Sequence, residues 1–416
     1  MKILITTDTY LPSINGVVTS VNMLYRELKA RGHDVRILTL SDDIHMKKRD
    51  DVYYLRSFRM YVYPGVRGTV PIEKTFRKEI ERWRPDIIHT QTEFFTMVIA
   101  KKIASVLNIP IVHTYHTMYE HYTRYLLRVD AISRQSAKLF TRESLRMVDA
   151  VVAPTGKVEK TLRDYGVDLP VYVIPTGLAM DKFGKSVSEE EKRALRCKLG
   201  ISEDKKIIAT IGRIGLEKNL DEVADYFLYV ERAHPEIVWL IVGDGPYREE
   251  LQNRISRLKL SDNVIFTGMV DPEEIYLYYK LADVFVSASM SETQGLTYVE
   301  ALMAGTPLVC KKDACLADIL EEGVNGYYFE TGDEFNRHLN ELLSDEEKRK
   351  RFSDCALESS VKFSKERFAE NIEKAYMDCL KKFSGREERF LRSRRLGRMK
   401  KLPHLYMEKI SDYFRF

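Results

Sequence analysis

One unit restricts this fold more than any other feature: a short apolar run, a polar loop with glycine, then a helical period. It opens the chain and opens it again near residue 206. Lys2–Asp8 (KILITTD) reads as a buried strand and TYLPSINGVVTS as its loop, with Gly16. Val17–Lys29 then reads as an amphipathic helix, with Val21, Leu24, Tyr25 and Leu28 at helical spacing. Gly32 ends it, and His33–Leu40 (HDVRILTL) is the next strand. Such a β-loop-α-β unit begins a doubly wound parallel sheet. Further strands are expected at Asp86–Thr90, Ile111–Thr114, Ala150–Pro154 and Val171–Pro175, with a helix over Phe94–Leu107. After a charged helical stretch, Ser186–Leu199, strands recur at Lys206–Ile211, Val238–Val242, Val264–Thr267, Ala282–Ala288 and Thr306–Cys310. The expected fold class is α/β, with two Rossmann-like halves parted near residues 178–204.

With 416 residues, 44% of them hydrophobic, each half can bury its own core. No apolar run reaches the roughly 18 residues that span a bilayer. The opening MKILITTDTY is interrupted by polar residues too soon for a signal peptide. The 5 cysteines (Cys197, Cys310, Cys315, Cys355, Cys379) are odd in number and contain no C-x-x-C pair. Neither a disulfide framework nor a zinc site is indicated, and a reducing cytoplasm is expected.

In open parallel sheets, ligands sit beyond the carboxyl ends of the strands. That rule selects Gly16, Gln91 to Glu93, His113, His116 and Thr176–Gly177 in the first half. In the second it selects three loops. GRIGLEK offers Arg213 and Lys218, two cations suited to a pyrophosphate, although the same loop could simply be solvated. Gly243-Asp244-Gly245-Pro246 follows a strand and could approach a base or ribose, although it is a common turn. Ser287–Val309 (SASMSETQGLTYVEALMAGTPLV) carries the strongest signal. A helix starting near Gly295 would present free N–H groups and a partial positive charge, a seat for phosphate. Glu292 and Glu300 flank that seat and cannot bind the phosphate, because like charges repel. They would bind hydroxyls or cations on either side of it. A buried Glu300 needs a partner, and ribose hydroxyls would supply one. Phosphate in the middle with hydroxyls at both ends describes a nucleotide-sugar. His89, His113, His116 and His121 crowd one stretch, but no carboxylate or cysteine stands at ligand spacing, so no metal is expected.

Together these motifs resemble the retaining glycosyltransferases of family 4. The shared pattern is Asn15-Gly16-Val17, an HTYHT string with His116, the Arg213/Lys218 loop, and E-x7-E from Glu292 to Glu300. The resemblance implies the GT-B fold, with two Rossmann-like domains, an interdomain cleft and a basic C-terminal tail. It divides the chain into an acceptor-binding, membrane-facing domain (1–178), a nucleotide-sugar domain (179–364), a helix packing back on the first domain (365–383) and the tail (384–416). It also implies roles. Arg213 and Lys218 would hold the pyrophosphate, Glu292 the sugar hydroxyls, Glu300 the ribose, and the backbone at Gly295 and Leu296 the phosphate or sugar. Gly16 would admit the diphosphate, Gly243 would line the nucleotide, and His116 would touch the sugar near its 6-hydroxyl and reacting carbon. The family transfers with retention and needs no metal or other cofactor.

Within the family, HTYHTMYEHYTRYL and the Ser287–Val309 string are most similar to bacterial diacylglycerol glucosyltransferases, which use UDP-glucose. Charge is distributed in keeping with a lipid acceptor. Residues 1–178 carry 27 Lys/Arg against 19 Asp/Glu, residues 179–382 carry 29 against 39, and residues 383–416 carry 10 against 4. The nets of +8, −10 and +6 sum to the chain's +4. In the basic first half, Arg56, Arg59 and Arg67 alternate with Phe58, Tyr61 and Tyr63, followed by Lys74, Arg77, Lys78, Arg82, Trp83 and Arg84. Cations beside aromatics suit an anionic membrane surface, so a peripheral place on the inner face of the cell membrane is expected. A soluble or polymeric acceptor such as a teichoic acid, glycan or protein, or another donor sugar, stays open. A nucleic-acid-binding role is disfavoured by the absence of an RNA-binding aromatic motif.

Overall fold

The computed structural model describes residues 1–59, 67–69, 74–118 and 130–385; Tyr61, Tyr63, His121 and the tail from residue 386 lie outside the described residues. The first half runs β1 (Lys2–Thr6), α1 (Gly16–Ala30), β2 (Asp34–Leu40), β3 (Lys47–Arg49), β4 (Val52–Leu55), β5 (Phe58–Arg59), β6 (Arg67–Gly68), α2 (Lys74–Trp83), β7 (Ile87–Thr90), α3 (Phe95–Leu107), β8 (Ile111–Thr114), α4 (Asp130–Ser144), β9 (Ala150–Ala153), α5 (Gly156–Asp164) and β10 (Val171–Val173). Then come α6 (Met180–Phe183), α7 (Glu189–Leu199), β11 (Lys206–Ile211), α8 (Leu220–Ala233), β12 (Ile237–Val242), α9 (Arg248–Arg257), β13 (Val264–Gly268), α10 (Ile275–Leu281), β14 (Val284–Ser287), α11 (Leu296–Ala304), β15 (Leu308–Lys311), β16 (Gly326–Phe329), α12 (Gly332–Ser344), α13 (Glu346–Ser360) and α14 (Lys365–Lys382).

Two large sheets result, ordered β10-β9-β8-β7-β1-β2-β4-β3 and β13-β12-β11-β14-β15-β16, beside a two-stranded pair of β5 and β6. Every pairing is parallel except β3 with β4 and β5 with β6. Parallel strands are covered on both faces, which is why they read as continuous apolar runs; β12 (IVWLIV) is buried at every position. Core clusters flank each sheet on both sides. Five strands, β3 to β6 and β16, go beyond the sequence expectation. β4 (VYYL) follows a charged stretch and carries no alternation, yet all four residues are buried against β2. β16 extends the second sheet past Thr306–Cys310, where the apolar pattern had ended. The charged edge strand β3 (KKR) discourages pairing with another chain at that end.

The chain crosses between the halves twice, and the two crossings are bonded to each other. Leu178 N–H donates to the Phe363 carbonyl (2.9 Å), and Lys365 N–H to the Leu178 carbonyl (3.1 Å). Helix α14 then lies on the first half, where Phe368, Ile372, Ala375, Tyr376 and Cys379 join a core with Ile3, Val21 and Leu24. Its Tyr376 hydroxyl is 2.6 Å from His89 Nδ1, and His89 Nε2 is 2.7 Å from the Thr114 hydroxyl. Burial holds His89 neutral, well below its ordinary pKa. Tyr376→Phe would strand a ring nitrogen, at a cost of about 1–3 kcal/mol. Urea unfolding should show the lower midpoint; an unchanged midpoint would mean the hydroxyl contributes nothing.

Candidate active site

Neighbouring strands β11 and β14 send their following segments in opposite directions, which opens a crevice at their carboxyl ends. Three loops meet there backbone to backbone. Gly212 N–H donates to the Val242 carbonyl (2.9 Å), Ile214 N–H to Asp244 (2.9 Å) and Gly243 N–H to Gly268 (3.0 Å). A cavity between the first of these loops and the segment after β14 is lined by Gly212, Arg213, Lys218, Ser287, Glu292 and Thr297.

Inside it, the Glu292 carboxylate pairs with the Lys218 ammonium and accepts from the Ser289 hydroxyl (3.0 Å). Burial pushes both groups toward neutrality, but each overcomes that push in the other: Glu292 is held below, and Lys218 above, its ordinary pKa. The pair is therefore ionised at neutral pH. Arg213 pairs with Glu217. Both cations that the sequence assigns to a pyrophosphate are thus engaged by carboxylates in this structure.

Helix α11 starts where expected. Gly295 has φ +74, and a Cβ there would stand 2.3 Å from the Tyr298 ring, so only glycine fits. Gly295 has no side chain to cap this end, and of the first amides that of Tyr298 donates to the Gly295 carbonyl (3.1 Å). Across the cleft, α1 begins at Gly16 behind the capping Asn15, whose side chain accepts from Val18 N–H (2.9 Å). A Cβ on Gly16 would lie 3.6 Å from Leu296 Cδ1, so the two helix N-termini face each other. Thr297, in the first turn of α11, lines the same cavity as Arg213 and Lys218.

Glu300 has a partner within the protein. Its carboxylate needs no ribose for a buried partner, because the Tyr279 hydroxyl donates to Oε2 at 2.6 Å. Burial still raises the carboxyl's pKa, with Tyr279 partly offsetting it.

His116 follows β8 and is half-buried. Its Nε2 stands 2.8 Å from Gln91 Oε1, and its carbonyl accepts from the Thr293 hydroxyl (3.1 Å). Burial lowers its pKa to about 3, so the ring is neutral. His113 behind it is fully buried between the Thr90 hydroxyl (2.8 Å) and Glu93 (3.2 Å).

Sequence reasoning missed the residues that join the halves. The Lys157 ammonium reaches the carbonyls of Met290 (3.0 Å) and Glu292 (3.2 Å) and both carboxylate oxygens of Asp313 (2.8 Å). Thr155 donates to the Thr293 carbonyl (2.7 Å), and Gln294 exchanges two hydrogen bonds with the Thr176 backbone (2.7 and 3.0 Å). The loop bearing Glu292 is therefore shaped by the other half of the chain. Thr155 and Lys157 follow β9 at its carboxyl end, so the rule that selected Gln91 and His116 would have found them; Gln294 carried no signal.

The basic surface is smaller than its sequence suggests. Trp83 is core: its indole N–H donates to Asp34 (2.7 Å) and the Arg36 guanidinium lies 4.3 Å from its ring. Arg67 is spent on the Ser57 hydroxyl (2.5 Å) and carbonyl (3.2 Å), and Arg77 pairs with Glu81 (3.1 Å). Arg56, Phe58, Arg59, Lys78, Arg82 and Arg84 are exposed. Among the described residues no helix is long and apolar enough to cross a membrane, and no group of three or more His, Cys, Asp or Glu side chains is arranged to hold a metal.

Comparison with known proteins matches both halves. Residues 14–182 fit the family described as Glycosyltransferase Family 4, and residues 191–358 the one described as Glycosyl transferases group 1. An alpha-monoglucosyldiacylglycerol synthase of Streptococcus pneumoniae is 35% identical over 91% of this chain and 86% of its own. The synthase of the same name from Acholeplasma laidlawii is 32% identical over 92% and 98%. Among solved structures, Anabaena HepE in complex with UDP and glucose superposes with a TM-score of 0.72 at 18% identity, over 91% of this chain and 100% of that one. The sucrose-phosphate synthase of Thermosynechococcus elongatus does so at 0.71 and 20%, over 91% and 98%.

Proposed function

We infer the function from one premise: this chain belongs to the glycosyltransferases of family 4, with the GT-B fold. It moves glucose from UDP-glucose to the 3-hydroxyl of 1,2-diacylglycerol, retaining the anomeric configuration and giving an alpha-linked monoglucosyl lipid. One observation carries the acceptor: the similarity to the two alpha-monoglucosyldiacylglycerol synthases spans both halves, including the half that faces the donor loop. The donor is supported by the facing helix ends and the Lys218–Glu292 pair.

The chemistry follows from those groups. The diphosphate lies between the N-termini of α1 and α11, with Gly16 leaving room for it and the backbone at Gly295 and Leu296 contacting it. Lys218 and Arg213 stabilise the charge that grows as it departs. Glu292 accepts hydrogen bonds from sugar hydroxyls and Glu300 from the ribose, while Gly243 lines the nucleotide. His116, neutral, meets the sugar. The acceptor hydroxyl attacks from the face the diphosphate leaves, and a leaving phosphate oxygen takes its proton. Catalysis is thus positioning and electrostatics, with no base side chain required.

A lipid acceptor brings the enzyme to a membrane. Arg56, Arg59, Lys78, Arg82 and Arg84 are exposed, and each cation near an anionic leaflet contributes about 1 kcal/mol. The test is product analysis with several UDP- and GDP-sugars on vesicles containing diacylglycerol, with and without anionic lipid and residues 386–416. Alpha-glucosyl lipid is expected from UDP-glucose, with weaker vesicle binding once the tail is removed. Turnover with a water-soluble acceptor and none with diacylglycerol would overturn the acceptor.

A further inference from the structure

Gln91 stands directly after β7, at the carboxyl edge where the first sheet's order reverses. Its backbone N–H donates to the Thr6 carbonyl (2.8 Å), and the residue is only 2% exposed. Its amide oxygen is 2.8 Å from His116 Nε2. With its oxygen toward the ring the amide can only accept, which puts the ring proton on Nε2; turned the other way it would donate and leave Nε2 bare. A neutral imidazole carries one proton, which leaves Nδ1 as a bare acceptor. Among the described residues, no other side chain hydrogen-bonds this ring. Among the described residues the buried Gln91 amide nitrogen has no hydrogen-bond partner, so a ligand oxygen there would satisfy it.

We propose that Gln91 is a positioning residue: it fixes His116 in the tautomer protonated at Nε2, leaving the Nδ1 lone pair to accept a hydrogen bond from a hydroxyl of the bound sugar. This deepens, and rests on, the glycosyl-transfer reading above. The assignment gives a neutral histidine a defined job. The ring orients a sugar hydroxyl by accepting from it, which an imidazolium or the other tautomer cannot do. His116 is well held for this: Thr293 fixes its carbonyl from the second half while Gln91 fixes its ring from the first. The titratable groups around the ring are His113 on the same strand, His89 and Glu93 from β7 and its loop, and Glu292 beside Thr293 on the opposing loop. None of them bonds the ring.

Three measurements test the proposal. Long-range 1H–15N spectra of the histidine-labelled enzyme should show His116 protonated at Nε2; protonation at Nδ1 would overturn it. In Gln91→Glu, a carboxylate beside the ring favours the imidazolium and raises the His116 pKa. The variant should therefore lose kcat/KM progressively as pH falls from 8 to about 6, along an acid limb the wild type lacks. A profile parallel to the wild type's would also overturn it. Gln91→Leu should lower kcat about tenfold with UDP affinity unchanged, because the diphosphate contacts lie elsewhere; wild-type kcat would count against the role. The tautomer and UDP affinity are measured without any acceptor, so an error in the lipid assignment would leave this test intact.

Discussion

Replacing Glu292 with alanine is expected to lower turnover at least about a hundredfold, or about 2.7 kcal/mol of transition-state stabilisation, and to leave the chain folded. The carboxylate's partners are Lys218 and Ser289, so its removal takes away the proposed sugar contact and the group that orients the nearest cation. The fold should tolerate the loss. The Lys218 side chain is 28% exposed, so its ammonium can turn to water instead of being stranded. Glu292→Gln, which keeps shape and one acceptor oxygen, should fall between. UDP release at saturating donor, beside a thermal melt, makes the measurement. Near-normal turnover in the alanine variant would sink the role assigned to this residue.

Gly243→Ala should be nearly as damaging, for a different reason. Gly243 has φ +132, where side chains other than glycine's are strained, and a Cβ there would stand 2.0 Å from the Gly212 carbonyl oxygen. The clash is with backbone, which has no rotamer to yield. Relief requires moving the Gly212–Arg213 loop, and a displacement of about 1 Å at a positioned cation can cost about a hundredfold. Stability should fall by about 2 kcal/mol as well. The expected result is a lower melting temperature together with a hundredfold loss in kcat/KM for the donor. An alanine variant unchanged in both would show that the packing of these loops does not shape the site.

Much of this was legible in the residues alone. Strands such as Ile237–Val242 fall where their apolar runs predict, because a strand covered on both faces reads as a near-continuous apolar run. Gly295 marks the start of α11 for a local reason, its positive φ. β4 escaped notice because VYYL has no alternation; the Asp50-Asp51 turn before it was the available signal, and β2 offers the edge it pairs with. Trp83 beside arginines looked interfacial, yet its neighbour Arg36 and its partner Asp34 lie far back in the chain.

The sequence by itself determined the two parallel sheets, the loops that end their strands, and the residue types gathered on those loops. These are local properties, set by periodicity and by the few residues that tolerate each turn. Only the tertiary structure decided who meets whom across the cleft. Lys157 finds Asp313 at 156 residues' separation, Gln294 finds Thr176 at 118, and Tyr279 takes the Glu300 oxygen that hydroxyls of a ribose had seemed needed to fill. Such pairs depend on how two separately formed halves dock, and docking leaves no period in either half for a reader of the chain to find.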